Sequence, residues 1–205
     1  KEVIGIIDYG VGNIKAFANI YKSFDMQYKI VKHVDDFKDV TKLILPGVGS
    51  FDHAMESLQQ SGMREKIDEL VLIDKLPVVG ICVGMQMLAK SSDEGELSGL
   101  GWVDATVKKF DKSKIINAPL PHMGWNSLNI KSSKKIVGNL EIDPRFYFLH
   151  SYYFQCENKE DVLATATYGE EFECVVKHEN IYGIQCHPEK SHHNGMQLLK
   201  NFGEL

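Results

Sequence analysis

The chain has 205 residues, 43% of them apolar and 25% charged, with a net charge of −5; this is the balance of a globular protein with a sizeable core, and its acidic sign argues against a general nucleic-acid or anionic-membrane binder. No stretch of about 18 apolar residues reads as a membrane span and no secretory apolar region is evident, so the expected location is cytoplasmic. Four scattered cysteines, Cys82, Cys156, Cys174 and Cys186, form no C-x-x-C pair, which points to free thiols and to no zinc site, disulfide framework or cofactor.

In chain order, Val3-Ile4-Gly5-Ile6-Ile7 is a continuous apolar run of the kind that fills an interior parallel strand. It ends at Asp8-Tyr9-Gly10-Val11-Gly12-Asn13, after which Ile14, Phe17, Ile20, Tyr21 and Phe24 recur at helical spacing. A dinucleotide fingerprint would need a third glycine where Lys15 stands. The stretch therefore reads as a glycine turn with Asn13 capping the first helix. Strands are expected at Tyr28 to Val31 and Leu43 to Leu45, the latter ending at Pro46-Gly47-Val48-Gly49. Helical segments follow around 52–60 and 63–73, then a further strand from Val78. Strands alternating with helices predict a doubly wound, mostly parallel α/β sheet, in which ligands gather at the carboxyl ends of strands. The glycine turns at 10–12, 47–49 and 80–84 all fall there, on one edge. Beyond Gly99 shorter β-like pieces, at 105–108, 126–130, 146–149, 164–168, 174–177 and 181–185, predict a mixed or antiparallel extension packed against the parallel half. No linker or repeat breaks the chain, so residues 1–205 are read as one domain, and Lys131-Ser132-Ser133-Lys134-Lys135 as a solvated turn.

The stretch from Leu76 to Leu88 concentrates the chemistry. Gly80-Ile81-Cys82-Val83-Gly84 is the cysteine form of the G-x-S-x-G nucleophile elbow, in which a tight strand-to-helix turn lifts the reactive atom out of the sheet. Glycines two residues to either side remove β-carbons that would crowd such a turn. Met85-Gln86-Met87-Leu88 reads as the start of a helix whose N–H groups favour a thiolate. Read alone, Cys82 fits a buried structural thiol equally well. A free thiol, with pKa ~8.5, is mostly protonated at neutral pH, so catalysis needs a neighbouring base. His187-Pro188-Glu189 follows the apolar strand from Ile181, and His187 and Glu189, two apart, can project to one side. Together with Cys82 they would make a Cys-His-Glu triad with the logic of the serine triad. His122 and His150 are rival bases, each beside apolar or aromatic residues, and spacing does not choose among the three.

Three motifs in combination, Gly80-Ile81-Cys82-Val83-Gly84-Met85-Gln86, Pro46-Gly47-Val48-Gly49 and His187-Pro188-Glu189-Lys190-Ser191, resemble the signatures of class I (triad-type) glutamine amidotransferases. Within that family the chain is most similar to the glutaminase subunits of imidazole glycerol phosphate synthases. Asp8 to Asn13, Pro121-His122-Met123-Gly124-Trp125-Asn126, His150-Ser151-Tyr152-Tyr153 and Leu198 to Phe202 carry that likeness from end to end. The resemblance implies that Cys82 attacks L-glutamine to form a glutamyl thioester, that His187 shuttles the proton to departing ammonia, and that Glu189 orients His187. It further implies an oxyanion hole from the backbone of Val48, Gly49 and Val83, with the 47–49 turn reorienting when the partner is active. Glutamine would be held by Gly47, Gln86, Glu94, His150, Ser151 and Tyr152. The implied partner is a (β/α)8-barrel cyclase that receives the ammonia in a heterodimer, with Met123 and Trp125 at the interface. Without the family, Gln86 reads as a helix surface residue and Glu94 as a solvated charge.

Val83 stands where the family usually has leucine, Cys186 where an aromatic is usual, and His192-His193-Asn194 occupies a variable turn. None touches the proposed triad. Ser50 to Met55, Gly62-Met63-Arg64 and Arg145 to Leu149 also resemble paralogues that feed ammonia to a nucleotide-sugar amidotransferase, a close alternative. A cysteine hydrolase or peptidase, or a non-catalytic interaction subunit, remain as other classes.

Overall fold

A computed structural model describes all 205 residues. Strand β1 (Ile4–Ile7) leads through the 8–13 turn into α1 (Ile14–Ser23), followed by β2 (Tyr28–Val31), β3 (Lys42–Gly47) and α2 (Phe51–Gln60). Helix α3 (Arg64–Asp68) runs on as a π-helical segment, Glu69–Ile73, before β4 (Val78–Cys82) and the single turn α4 (Val83–Gln86). The second half holds β5 (Ser91–Ser92), β6 (Ala105–Lys109), β7 (His122–Ser127), β8 (Asn129–Ile130), β9 (Arg145–His150), β10 (Tyr152–Cys156), β11 (Val162–Tyr168), β12 (Glu170–His178), β13 (Ile181–Ile184) and α5 (His192–Gly203).

Strands β1 to β4 and β13 form a parallel set in the order β2-β1-β3-β4-β13. Every residue of β1, β3, β4 and β13 is buried, which is why, Lys42 at the start of β3 apart, their sequences are apolar runs rather than alternations. The antiparallel strands continue this sheet instead of packing against it. β12 pairs with β13, and the order runs on through β10 and β6 to β5, with β11 and β8 on a branch from β12. Separate from it is a two-stranded ribbon of β7 and β9.

The helices follow from their buried stripes. Phe17, Ala18 and Tyr21 face inward on α1, and the Tyr21 hydroxyl donates to the Leu199 carbonyl at 2.7 Å, tying α1 to α5. On α2 the buried set is Phe51, Ala54, Met55 and Leu58, and the Ser50 hydroxyl caps the His53 N–H. Asn13 occupies the cap position of α1, as expected, but its side chain makes no capping bond. The expected strand at 126–130 is split: 122–127 joins the ribbon, and 129–130 crosses to β11. Strand β10 was not anticipated. Nor was α5: His192-His193-Asn194, read as a variable turn, forms its first turn. Of the basic run, Lys131 pairs with Glu171 at 3.1 Å and Lys135 bonds the Glu204 carbonyl. No helix is long and apolar enough to cross a membrane.

Candidate active site

At the carboxyl end of β4 the backbone of Cys82 takes φ 58° and ψ −117°, a conformation an L-residue adopts only under strain. The surroundings enforce it. A β-carbon on Gly84 would run into the Leu45 carbonyl oxygen, and one on Gly80 into the Gly84 carbonyl. The strand, the nucleophile turn and α4 are thus folded onto β3 with backbone in contact with backbone. Helix α4 is shorter than the sequence suggests: Leu88 and Ala89 already bond back to Met85 and Gln86 in tighter turns. Gly47 shares this packing. Paired with Cys82 across β3 and β4, it is buried, and a Cβ there would meet the Gly84 nitrogen at 2.7 Å and the Tyr9 hydroxyl at 3.1 Å. It is not among the residues that line the cavity, and the contacts it makes are close backbone packing.

His187 comes to Cys82 from β13, the parallel neighbour of β4. Its Nε2 lies 3.3 Å from the Cys82 Sγ, and its Nδ1 lies 3.1 Å from Glu189 Oε2. Burial by itself lowers the His187 pKa, but the hydrogen bonds and charges of Cys82 and Glu189 outweigh it and hold the imidazole above its ordinary value. The loop that presents it is bound to the ribbon. The His187 N–H donates to the Tyr147 carbonyl at 2.9 Å. The buried Ser191 hydroxyl donates to the His187 carbonyl at 2.6 Å and accepts from the Tyr147 N–H at 2.9 Å. Ser191 was visible only as the end of a motif; its clamping of the base was not.

These groups open on a cavity of about 490 Å³. Val48, Gly49 and Val83 line it beside Cys82 and His187. Gln86, Glu94, His150, Ser151 and Tyr152 line it as well. Gln86 is no surface residue: it is buried, and its Nε2 donates to the Tyr152 carbonyl at 3.2 Å and to Gln185 Oε1 at 3.1 Å. Glu94 Oε1 accepts the Phe51 N–H at 2.9 Å, at the positive end of α2. Pro121, Leu149 and Lys190 also line the cavity without having been singled out.

The rival histidines pair with each other rather than with Cys82. His150 Nδ1 lies 2.8 Å from the Tyr152 carbonyl, which can only accept, so that nitrogen carries the hydrogen. His150 Nε2 is then the acceptor for His122 Nδ1 at 3.0 Å, and His122 Nε2 accepts from Asn126 Nδ2 at 3.3 Å. Burial pushes His122 down to about 4 and His150 to about 3, so both are neutral at pH 7 and unsuited to the base role. His122 is also stacked between Phe148 and Tyr168. On the opposite face of the ribbon, Met123 and Trp125 stand 61% and 41% exposed, beside a partly exposed Leu149.

The model of the family described as glutamine amidotransferase class-I matches residues 5–204. A protein of Leptospira borgpetersenii, named imidazole glycerol phosphate synthase subunit HisH, is 53% identical over 205 residues, spanning 99% of this chain and all of that protein. One of the same name from Bdellovibrio bacteriovorus is 54% identical over 204 residues, spanning 99% and 100%. Among solved structures, one described as a glutamine amidotransferase superposes with a TM-score of 0.74 at 19% identity, covering 98% of each chain. The structure of PurLQS from Thermotoga maritima gives 0.72 at 17% identity, over 98% and 97%. At such low identities the two structures speak to the fold alone.

Proposed function

The chain belongs to the class I glutamine amidotransferase family, and from that premise we propose that it is the glutaminase subunit of an imidazole glycerol phosphate synthase, with residues 1–205 acting as one domain in the cytoplasm. The observation that carries the chemistry is the line Cys82–His187–Glu189, with contacts of 3.3 and 3.1 Å, at a cavity with ample room for an amino acid. Cys82 gives its proton to His187, and the thiolate attacks the side-chain amide carbon of glutamine. The oxygen gains charge beside the backbone N–H groups of Val48, Gly49 and Val83, which form the oxyanion hole. The intermediate collapses as His187 delivers the proton to the amide nitrogen, and ammonia leaves behind a glutamyl thioester. His187 then takes a proton from water, whose oxygen attacks the thioester, releasing glutamate and restoring the thiol. Glu189 holds His187 in the tautomer that keeps Nε2 toward sulfur. Gln86, Glu94 and the backbone of 150–152 hold the substrate's amino-acid end.

Ammonia released into water is protonated and lost as a nucleophile, so the reading calls for a partner seated over the site. A (β/α)8-barrel cyclase is that partner, and the exposed apolar face of Met123 and Trp125 is where it docks, since aromatic and Met side chains suit such surfaces. The full-length likeness to subunits of the HisH name favours this reading over supply to a nucleotide-sugar amidotransferase. Glutamine hydrolysis by the purified chain, alone and with the cyclase barrel plus its substrate-like ligand, tests it. A large rise with the liganded cyclase is expected. A rise only with a sugar amidotransferase would keep the triad and change the partner.

A further inference from the structure

An amide side chain is nearly symmetric in shape and opposite in chemistry at its two ends. A glutamine that contacts a substrate therefore needs something to fix which end faces it. At Gln86 both amide hydrogens are used inside the protein, one on the Tyr152 carbonyl and one on Gln185 Oε1. The backbone carbonyl can only accept, so the nitrogen must point that way, and Oε1 is the end left for the cavity that Gln86 lines.

Gln185 follows directly on β13 and is completely buried, and its N–H is fixed to the Cys174 carbonyl of β12 at 2.8 Å. Its Nε2 is buried and has no partner. Leaving a buried amide nitrogen unpaired is destabilising, and an apolar side chain of the same size would avoid that cost. Turning the Gln185 amide over would set N–H against N–H. The one interaction that accounts for an amide here is the hydrogen bond that its oxygen accepts from Gln86 Nε2. The other acceptor is held as firmly: His150 Nδ1 donates to the Tyr152 carbonyl, and His122 and Asn126 fix His150 behind it.

We propose that Gln185 is a positioning residue for substrate binding. With the Tyr152 carbonyl it locks the Gln86 amide so that only a carbonyl oxygen faces the cavity, and the site selects a ligand that brings a hydrogen-bond donor to that point. The proposal rests on the glutaminase reading. It separates Gln185 from the triad, two residues away in sequence: its loss alters KM rather than the reaction of the thiol.

The test is steady-state glutamine hydrolysis by the complex with the cyclase barrel and its ligand. Gln185→Met keeps the volume and removes the acceptor; KM for glutamine rises about tenfold while kcat changes less than about threefold. Gln185→Glu retains an acceptor oxygen and keeps KM near the parent value. In a Gln86→Ala background, Gln185→Met has no further effect, because the partner it acts through is gone. Alkylation of Cys82 by iodoacetamide, which bypasses Gln86, proceeds at the parent rate in Gln185→Met. An unchanged KM in Gln185→Met, an equal rise in Gln185→Glu, or additive losses in the double variant overturn the proposal. If Gln185→Met does not fold, a tenfold rise in Gln185→Glu alone is enough to overturn it. A parent complex that turns over no glutamine sinks the glutaminase reading and this proposal with it, whereas an active parent with an indifferent Gln185→Met sinks only the proposal.

Discussion

The two sides of the active site are built by different means. On the parallel side, where β3 and β4 meet, position is set by main chain against main chain. Cys82 is held at φ 58°, and neither Gly80 nor Gly84 has room for a single carbon. On the side of the ribbon and β10, position is set by side-chain hydrogen bonds of 2.8–3.3 Å running from Asn126 through His122 and His150 to the Tyr152 carbonyl. A backbone wedge has no intermediate settings, while a hydrogen-bond chain can be weakened one link at a time. The reacting sulfur thus depends on steric necessity and the substrate's fit on exchangeable polar contacts. Damage on the first side should remove the reaction or the fold; damage on the second should rescale affinity or stability.

The sharpest way to break that contrast is at Cys82 itself. Cys82→Ala should lower glutamine hydrolysis by at least about 10⁴-fold, while synthesis by the complex with added ammonium persists; loss of the ammonium-driven reaction as well would contradict the donor role. Gly84→Ala should destabilise the fold by roughly 3 kcal/mol or more, because the new carbon meets a backbone oxygen that cannot move aside. A urea midpoint close to the parent would show that the wedge is softer than it looks.

On the opposite side smaller effects are expected. Trp125→Ala should weaken cyclase binding by about 2 kcal/mol, ~30-fold, by titration calorimetry, leaving the fold unchanged. The histidine pair gives a pH signature. His122 and His150 have folded pKa values of about 4 and 3, well below their unfolded value of about 6.5. As pH falls below about 6.5 the unfolded chain takes up protons that the native chain refuses, so stability declines. Between pH 7 and 5.5 the two should remove on the order of 2 kcal/mol in urea titrations. His187, raised by its partners, works the other way: its share is complete below about pH 6.5 and fades as pH climbs through the folded value, so it offsets only part of the decline. A flat profile over that range would argue that the pair is not buried neutral. The smallest effect returns to the elbow. Cys82→Gly should be more stable than Cys82→Ala by about 1 kcal/mol, the reverse of the usual order, because only glycine sits at φ 58°, ψ −117° without strain.

Legibility in the sequence divides along the same line. The parallel strands and the elbow could be read because complete burial writes itself as unbroken apolar runs, and close backbone approach as glycine. The triad lay within reach once motifs were taken together, although spacing alone could not set His187 above His122 and His150. What separates them is burial without a charged partner, which no local pattern encodes. The far half was harder. β10 and the division of 122–130 between ribbon and sheet depend on which distant strand each segment meets, and α5 begins in polar residues that mask its later stripe of Leu198, Leu199 and Phe202. Gly47 shows the limit of such a reading, since a glycine in a motif marks tight geometry without saying whether the backbone approaches ligand or protein. Gln185 did leave a trace, an amide inside the apolar stretch from Ile181 to Cys186.

Tyr9 gives the turn after β3 a fulcrum. Its buried hydroxyl donates to the Pro46 carbonyl and also touches the Met87 sulfur, while Gly47 is jammed against Gly84. Two residues on, Gly49 has open space where a side chain would be and sits at φ +89°. A segment clamped at one end and slack at the other pivots at the clamp and moves only at its slack end. Whatever torque a docked partner applies to 48–49 therefore turns those peptides without dragging β3, and the sulfur stays where the sheet has put it.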